Sequence, residues 1–316
     1  METLLYSIGW LLSIAATLGN GFVVFLVAKN RRLLSTSANK FVLSLAVADF
    51  SVGIVVFPSS YFCHNSPACN LRVHMAFFWF FLQSSVTNLC TLTWDRYIAI
   101  VHPLKYNTCM TVRRPGIVIL IAWLIPFAIS LSLLVGMYVT NSKTAWKVLR
   151  LTCVSAFDIV SSVLLSYAVI RILIAARAQS QQVSEIELQV QSNFSSSETG
   201  TSRRQHTHNT ARFIIALVLF FMGCYVIVNF TVLCNTFSCP VSGESVGHVV
   251  ICLLVLNSAV NPMVYALLKG DIKREISSLI SHMSHSSPSL GRPYLKPTIM
   301  AQRGQQAKPS QLDSVG

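Results

Sequence analysis

Charged side chains are scarce in this sequence. Only 11% of its 316 residues are Asp, Glu, Lys or Arg, and 53% are hydrophobic. An ordinary soluble domain carries about 25% charged residues. So few charges cannot cover a water-exposed surface, and the composition therefore predicts a protein embedded in a membrane.

Long stretches of the chain lack polar interruptions. A hydrocarbon core about 30 Å thick requires about 20 consecutive apolar residues from each spanning helix. Seven stretches meet this requirement, at residues 5–28, 39–62, 73–101, 116–138, 150–176, 211–234 and 246–268. We predict an all-α membrane protein, a seven-transmembrane helix bundle.

Acidic residues are rarer than basic ones, with 11 Asp and Glu against 24 Lys and Arg. Seven spans leave four basic residues on one side of the membrane, Arg72, Lys143, Lys147 and Arg150, and 20 on the other. Basic residues collect on the cytoplasmic side. We therefore expect a multi-pass protein of the plasma membrane with an extracellular amino terminus and a cytoplasmic carboxyl terminus. The basic residues cluster beside the spans, where anionic lipid explains them, and nucleic acid is not an expected partner.

The predicted outer loops offer little material for a separate domain. We expect no large extracellular ligand-binding domain, because the first span begins near residue 5. Four of the nine cysteines fall in predicted outer loops, where disulfides are stable: Cys63, Cys69, Cys234 and Cys239. The candidate pair is Cys234 with Cys239, which flank a short turn-like stretch.

Two segments lack the apolar content needed to fold alone. Residues 179–208 are rich in Ser, Gln and Thr, and residues 283–316 in Ser, Pro and Gln. We predict that both are disordered, as a third cytoplasmic loop and a cytoplasmic tail. Between residues 271 and 280, apolar and charged residues alternate at helical spacing, which predicts a short amphipathic helix on the membrane surface. The folded domain is then predicted to span residues 1–282.

Ionisable residues inside membrane spans are costly and mark candidate functional sites. Four occur here: Asp49, Asp95, Arg96 and Asp158. Ser85 and Asn88 add a polar face to the third span. A polar stripe on the seventh consists of Asn257, Ser258, Asn261 and Tyr265. Polar side chains in lipid must satisfy one another, so these stripes either hold the bundle together or form a switch. Pro262 interrupts the backbone hydrogen bonds of the seventh span and permits a bend there.

The order of these residues carries a specific resemblance. The matching motifs are Gly19-Asn20, Leu45-Ala46-Val47-Ala48-Asp49, Asp95-Arg96-Tyr97, Trp123 and Asn261-Pro262-Met263-Val264-Tyr265. Together they resemble the rhodopsin-like (class A) G-protein-coupled receptors, and residues 98–106 follow the family's second cytoplasmic loop. Among these receptors the chain is most similar to the melanocortin, adenosine, cannabinoid and lysophospholipid group.

The resemblance implies a receptor, not an enzyme, that binds an extracellular ligand and activates a heterotrimeric G protein. It implies an allosteric sodium site at Asp49, Ser85, Asn257, Ser258 and Asn261, supported by Asn20, and no other cofactor. It also implies an activation switch formed by Asp95, Arg96, Tyr97, Tyr167, Tyr225, Asn261, Pro262 and Tyr265. Arrestin and a receptor kinase are the further partners expected of this family, together with the lipid bilayer.

Several positions depart from the family pattern. Tyr225 replaces the usual tryptophan of the sixth span, and Ile159 replaces a common proline of the fifth. Phe78 stands where an amine receptor has Asp, and Val255 where an opsin has Lys, which disfavours both ligand classes. The expected ligand is small and apolar or lipid-like, and the candidate pocket residues are Phe78, Leu82, Tyr225 and Asn229.

Three other functions fit the composition less well. A transporter or channel would explain the buried carboxylates, but no internal repeat is visible. A membrane enzyme would need a metal-ligand or nucleophile cluster, and none is recognisable. A receptor-like scaffold without signalling stays open because the sixth span is unusual.

Overall fold

The computed structural model describes residues 2–109, 113–140, 142, 144, 148–149, 151–193, 215, 218–234 and 244–285. The chain divides into one compact unit, Met1–Ser277, and a second unit, Ser278–Gly316. The first unit therefore ends shortly before the predicted boundary at residue 282. Predictions about Cys239, residues 194–208 and residues 286–316 lie outside the described residues.

The described chain is helical. Its helices are α1 (Glu2–Lys29), α2 (Arg31–Leu34), α3 (Ser37–Asn65), α4 (Leu71–Val101), α5 (Pro103–Cys109), α6 (Arg114–Val139), α7 (Ala156–Asn193, after a π-helical turn at Leu151–Ser155), α8 (Val218–Cys234), α9 (Glu244–Leu268) and α10 (Gly270–His285).

The membrane helices agree with the apolar stretches of the sequence. Six helices of the described chain are long and apolar enough to span a membrane: α1, α3, α4, α6, the first part of α7, and α9. The shorter apolar helix α8 covers most of the sixth predicted span, whose beginning is not among the described residues. The predicted fold class, a seven-transmembrane helix bundle, is confirmed.

Packing brings together the helices that carry buried polar residues. The second membrane helix, α3, packs against α1, α4 and α9, while α4 also contacts α6 and α7. Lipid-facing residues such as Leu18, Leu120 and Val163 are exposed, whereas Asp49, Asn88 and Asp95 are completely buried. The outside of the bundle is thus apolar, and the ionisable side chains of its spans lie in the interior, as a membrane requires of a helical protein.

Helix α7 differs from its prediction. It continues to Asn193, although the sequence predicted a disordered loop from residue 179. Glu and Gln are abundant between residues 181 and 191, and both have good helix propensity. Extending an existing helix costs far less than nucleating one, so the membrane portion of α7 supports this polar continuation.

Helix α10 has the amphipathic pattern that the sequence predicted. Ile272 is completely buried, while Lys273 and Arg274 are exposed. The helix extends to His285, slightly beyond the predicted end of order at residue 282.

A disulfide joins Cys63 to Cys69, with the two Cα atoms 5.1 Å apart. It ties the last turn of α3 to the segment that precedes α4. The sequence placed both residues in an outer loop but favoured the pair Cys234 and Cys239. That second pairing stays a prediction, because Cys239 is not described.

Close packing of α1 on α3 depends on Gly53. A Cβ at this position would lie 2.6 Å from Oγ1 and 2.9 Å from the backbone N of Thr17, and 3.1 Å from the Cβ of Ala16. A backbone atom cannot rotate away, so any side chain at residue 53 forces the two helices apart.

We expect Gly53→Ala to destabilise the receptor by about 1–3 kcal/mol, the typical cost of overpacking. Gly223→Ala is the matched control, because no atom lies within 4 Å of a Cβ at residue 223. Both changes gain the same helix propensity, so the difference between their melting temperatures in detergent isolates the clash. Equal melting temperatures would contradict the tight α1–α3 contact.

Candidate functional site

A buried carboxylate, Asp49, joins three helices. Its Oδ1 accepts hydrogen bonds from Ser85 Oγ at 2.6 Å and from Ser258 Oγ at 2.7 Å, and its Oδ2 accepts one from Asn261 Nδ2 at 2.5 Å. Asp49 lies on α3, Ser85 on α4, and Ser258 and Asn261 on α9. We call these four residues the polar core. The structure thus brings together four of the five residues predicted to form a sodium site.

Asn257, the fifth predicted ligand, is buried one turn before Asn261 on α9. Among the described residues it donates no hydrogen bond to Asp49. The partners that the structure shows for Asp49 within the described residues are the neutral side chains of Ser85, Ser258 and Asn261, and no Lys, Arg or His is among them. A buried carboxylate without a positive partner is costly, so Asp49 either holds a proton or faces a bound cation.

Asn20 connects α1 to the polar core, at the position where Pro262 interrupts the backbone hydrogen bonds of α9. Pro262 has no backbone N–H, so the carbonyl of Ser258 lacks its helical donor. Asn20 Nδ2 donates to this carbonyl at 3.0 Å and also to Ala16 O at 2.9 Å. The proline therefore breaks the helix ladder without leaving a buried carbonyl unsatisfied.

Gly19 allows this approach of α1 to α9. A Cβ at residue 19 would lie 2.9 Å from Cγ of Pro262. The motif Gly19-Asn20 thus has two physical roles, since the glycine makes room for the proline and the asparagine supplies the missing hydrogen bond.

A second series of hydrogen bonds joins α3, α4 and α6. Trp123 Nε1 donates to Ser44 Oγ at 3.0 Å, Ser44 Oγ donates to Asn88 Oδ1 at 2.6 Å, and Asn88 Nδ2 donates to Ser84 O at 2.7 Å. The Ser44–Asn88 and Asn88–Ser84 bonds are buried, and the Trp123–Ser44 bond is part-buried. Asn88 therefore belongs to the packing of three helices, beside the polar core but separate from Asp49.

At the opposite end of α4, Arg96 is paired with its neighbour Asp95. Arg96 Nε donates to Asp95 Oδ2 at 2.9 Å, and a second guanidinium nitrogen contacts the same oxygen. Tyr106, on α5, donates to the other carboxylate oxygen at 3.0 Å. Burial and the Asp95 charge raise the pKa of Tyr106 to about 12, so its hydroxyl keeps its proton at neutral pH.

The tyrosines of the predicted switch are in different environments. Tyr97 is buried, and its ring centroid lies 6.1 Å from that of Tyr167, which is 49% exposed on α7. Tyr265 is completely buried on α9, and Tyr225 is buried on α8, where it stacks on Phe221 at 4.2 Å. An inward movement of Tyr167 and Tyr265 stays a prediction.

Lys269, which follows α9, contacts Asn39 Oδ1 on α3. Burial, together with the positive charge of Arg96, lowers the pKa of Lys269 to about 7. The contact of Lys269 with Asn39 links the end of α9 to the start of α3, near Arg96.

The four predicted pocket residues lie on two helices, α4 and α8, and their role as a pocket stays a prediction. Phe78 and Leu82 are buried on α4, where the Phe78 ring packs against His74 and Trp79. Tyr225 and Asn229 lie on α8, and Asn229 Nδ2 donates to Tyr225 O at 3.0 Å.

Asp158, the acidic residue of the fifth span, lies beside Tyr225 and Asn229 of α8. Its carboxyl is buried on α7 within hydrogen-bonding reach of the Asn229 side chain. Asp158 therefore connects α7 to α8, a role that the sequence did not assign.

An open cavity lies between α1, α3 and α9, at the end of the bundle where α1 begins. Its volume is about 230 Å³, and it opens to solvent. We call it the outer cavity, and its lining residues are Tyr6, Phe57, Ser60, Tyr61, His64, Gly247, His248 and Ile251. None of them carries a fixed charge, and none was among the predicted pocket residues.

Sequence reasoning also missed Ser44, Asn39, Tyr106 and Lys269. Ser44 was detectable, since it is a polar residue within an apolar span and five positions before Asp49. Tyr106 closes the stretch that matched the second cytoplasmic loop. The pairing of Lys269 with Asn39 joins positions far apart in the chain, and neither position has a distinctive local pattern.

Comparisons with known proteins agree with this architecture. Residues 19–265 match the family model for the 7 transmembrane receptor (rhodopsin family). The adenosine receptor A2a of Cavia porcellus is 30% identical over 306 residues, which cover 86% of this chain and 71% of that receptor. The human adenosine receptor A2a is 29% identical over 307 residues, with the same coverage of 86% and 71%.

A relative of a different kind is almost equally similar. The trace amine-associated receptor 8c of Mus musculus is 29% identical over 309 residues, which cover 89% of this chain and 87% of that receptor. The family match spans every membrane helix that contributes to the polar core and the Arg96 pair. The protein is therefore a membrane receptor, not an enzyme, that binds an extracellular ligand and signals through G proteins. The chain belongs to the rhodopsin family of seven-transmembrane receptors.

Proposed function

We propose that the polar core and the Arg96–Asp95 pair together hold this receptor in its resting arrangement. The observation that carries the proposal is the bonding of a single carboxylate, Asp49, to both α4 and α9. A ligand that prefers a different arrangement of these helices shifts the population toward it, by no more than its difference in affinity. Release of Arg96 from Asp95 then exposes its guanidinium to the G protein.

The polar core is also proposed to bind sodium. Its chemistry fits, because one carboxylate and several hydroxyl and amide oxygens are the hard ligands that such a cation prefers. The buried Oδ1 of Asn20 has no hydrogen-bond partner among the described residues. Bound sodium would neutralise Asp49 and favour the compact arrangement in which the four residues meet.

We expect sodium to raise the melting temperature of the purified receptor relative to equal concentrations of potassium or choline. Binding only to the compact state stabilises it by mass action. Asp49→Asn should abolish the effect, and Ser85→Ala should weaken it. Ser44→Ala is the matched control, since Ser44 bonds Asn88 and not Asp49. An Asp49→Asn protein with an undiminished sodium effect would remove the assignment.

We expect Asp95→Asn to raise ligand-independent guanine-nucleotide exchange several-fold, because the neutral amide no longer holds Arg96. Tyr106→Phe should raise it less, since it removes one hydrogen bond and leaves the ion pair. The measurement is nucleotide exchange by purified G proteins in the presence of each variant, with surface expression matched.

The control is Arg96→Ala in the Asp95→Asn background. This double variant should return exchange to the level without receptor while keeping surface expression. Exchange that stays high without Arg96 would refute its role, and wild-type-like exchange by Asp95→Asn would refute the restraint by Asp95.

We further propose the plasma membrane as the location, with the amino terminus outside, on the basis of the basic residues on the opposite side. Arrestin and a receptor kinase are proposed partners of residues 179–208 and 283–316. The Ser and Thr residues of both segments support this as acceptors of phosphate.

The ligand is proposed to be small and uncharged or lipid-like, and to enter through the outer cavity. The cavity volume, about 230 Å³, lies below the usual range for small-molecule sites, about 300–1,000 Å³, and therefore favours a small ligand. Aromatic rings dominate its lining, and no Asp, Glu, Lys or Arg is present. The relatives include receptors for adenosine and for trace amines, and the uncharged lining favours a neutral ligand over an amine.

A ligand screen in cells that report second messengers tests this directly. We expect Ser60→Trp, which fills the outer cavity, to lower the potency of hits by at least about tenfold, or 1.4 kcal/mol. Leu18→Trp, on the exposed face of α1, is the control and should change potency little. If the hits are cations whose potency falls with Asp158→Asn and not with Ser60→Trp, the receptor recognises amines beside Asp158. The proposal for the outer cavity is then wrong.

A further inference from the structure

Two histidines face each other at the end of the bundle where α1 begins. His64 lies in the last turn of α3 and His248 near the start of α9. Their ring centroids are 6.0 Å apart, and their planes cross at 86°. Both imidazoles line the outer cavity, so a solute has access to the space beside them.

One of the imidazole nitrogens lacks a partner within the described protein. Nδ1 of His248 is buried and makes no hydrogen bond there. A buried polar atom without a partner costs about 1–3 kcal/mol. A partner from outside the chain that satisfies this nitrogen would remove that cost.

The ring spacing suits a metal ion. Zinc binds imidazole nitrogen at about 2.0–2.1 Å, and two rings on one tetrahedral zinc have centroids roughly 5–6 Å apart. The observed 6.0 Å needs only a small adjustment of side-chain torsions. Imidazole ligands without carboxylates favour zinc, copper or nickel over magnesium or calcium.

The surroundings restrain the His248 ring and the backbone that carries His64. His64 is adjacent to Cys63, whose disulfide with Cys69 restrains the end of α3. The ring of Tyr6 contacts that of His248 at 4.8 Å and that of Tyr61 at 5.3 Å, both edge to face. Such support reduces the entropy lost when a ligand binds.

We propose that His64 and His248 bind one divalent transition-metal ion of the zinc class, bridging α3 and α9 in the outer cavity. The described residues include no group of three or more His, Cys, Asp or Glu that could share a metal. Water in the cavity therefore occupies the other coordination positions, and the metal stays open to exchange with the outside. This inference does not depend on the proposed ligand or on G-protein coupling.

The test uses full-length receptor purified without a histidine tag and titrated with zinc chloride. We expect a saturable rise in melting temperature and one zinc ion bound per receptor in competition with a chromogenic zinc indicator. His64→Gln and His248→Gln should each abolish both signals, because one imidazole alone holds zinc weakly. Glutamine keeps the size and polarity of the position, and the zinc-free melting temperature of each variant reports its folding.

His74→Gln provides the matched control, since His74 lies near the start of α4 and does not line the outer cavity. It should leave zinc binding intact, and magnesium chloride should have no effect on any of the proteins. Absence of zinc binding by the wild-type receptor would overturn the proposal. Binding that survives His64→Gln, or that is lost in His74→Gln, would overturn it equally.

Discussion

The structure depends on satisfying one carboxylate in a place without water. Asp49 is completely buried, and its two oxygens take their hydrogen bonds from α4 and α9. Lipid offers no substitute partner for any of these groups. A rearrangement that separates these helices must therefore supply new partners for Asp49, a proton or a cation. This requirement makes the helix arrangement a small set of discrete states instead of a continuum.

The sequence predicted those parts of the fold and of the polar core that follow from the cost of placing polar groups in a membrane. Apolar stretches of membrane length marked the spans, because a bilayer fixes how many apolar residues a helix needs. Polar residues inside those stretches were unusual enough to mark Asp49, Ser85, Ser258 and Asn261, and helical spacing placed Ser258 and Asn261 near one face of α9. The structure brings these side chains within 2.5–2.7 Å of the Asp49 oxygens.

Contacts that arise only from folding were not predictable in the same way. The disulfide of Cys63 with Cys69 depends on how the chain turns between α3 and α4, and two cysteine pairs were compatible with the sequence. The outer cavity is a gap between three helices, and a gap has no sequence pattern of its own. The extension of α7 to Asn193 was missed because polar composition was interpreted as disorder, although helix propensity and an existing helix favoured continuation.

Helix α9 is the element through which an outer site can influence the polar core. It carries His248 and Ile251 in the outer cavity, Ser258 and Asn261 in the polar core, and Tyr265 beyond them. Pro262 removes one backbone hydrogen bond from this helix, and Asn20 of α1 replaces it. The replacement comes from a different helix, so a shift of α1 against α9 changes the restraint at the proline directly. Residues of both helices line the outer cavity, so a ligand bound there would contact both, which is the physical condition for coupling the two ends of the bundle.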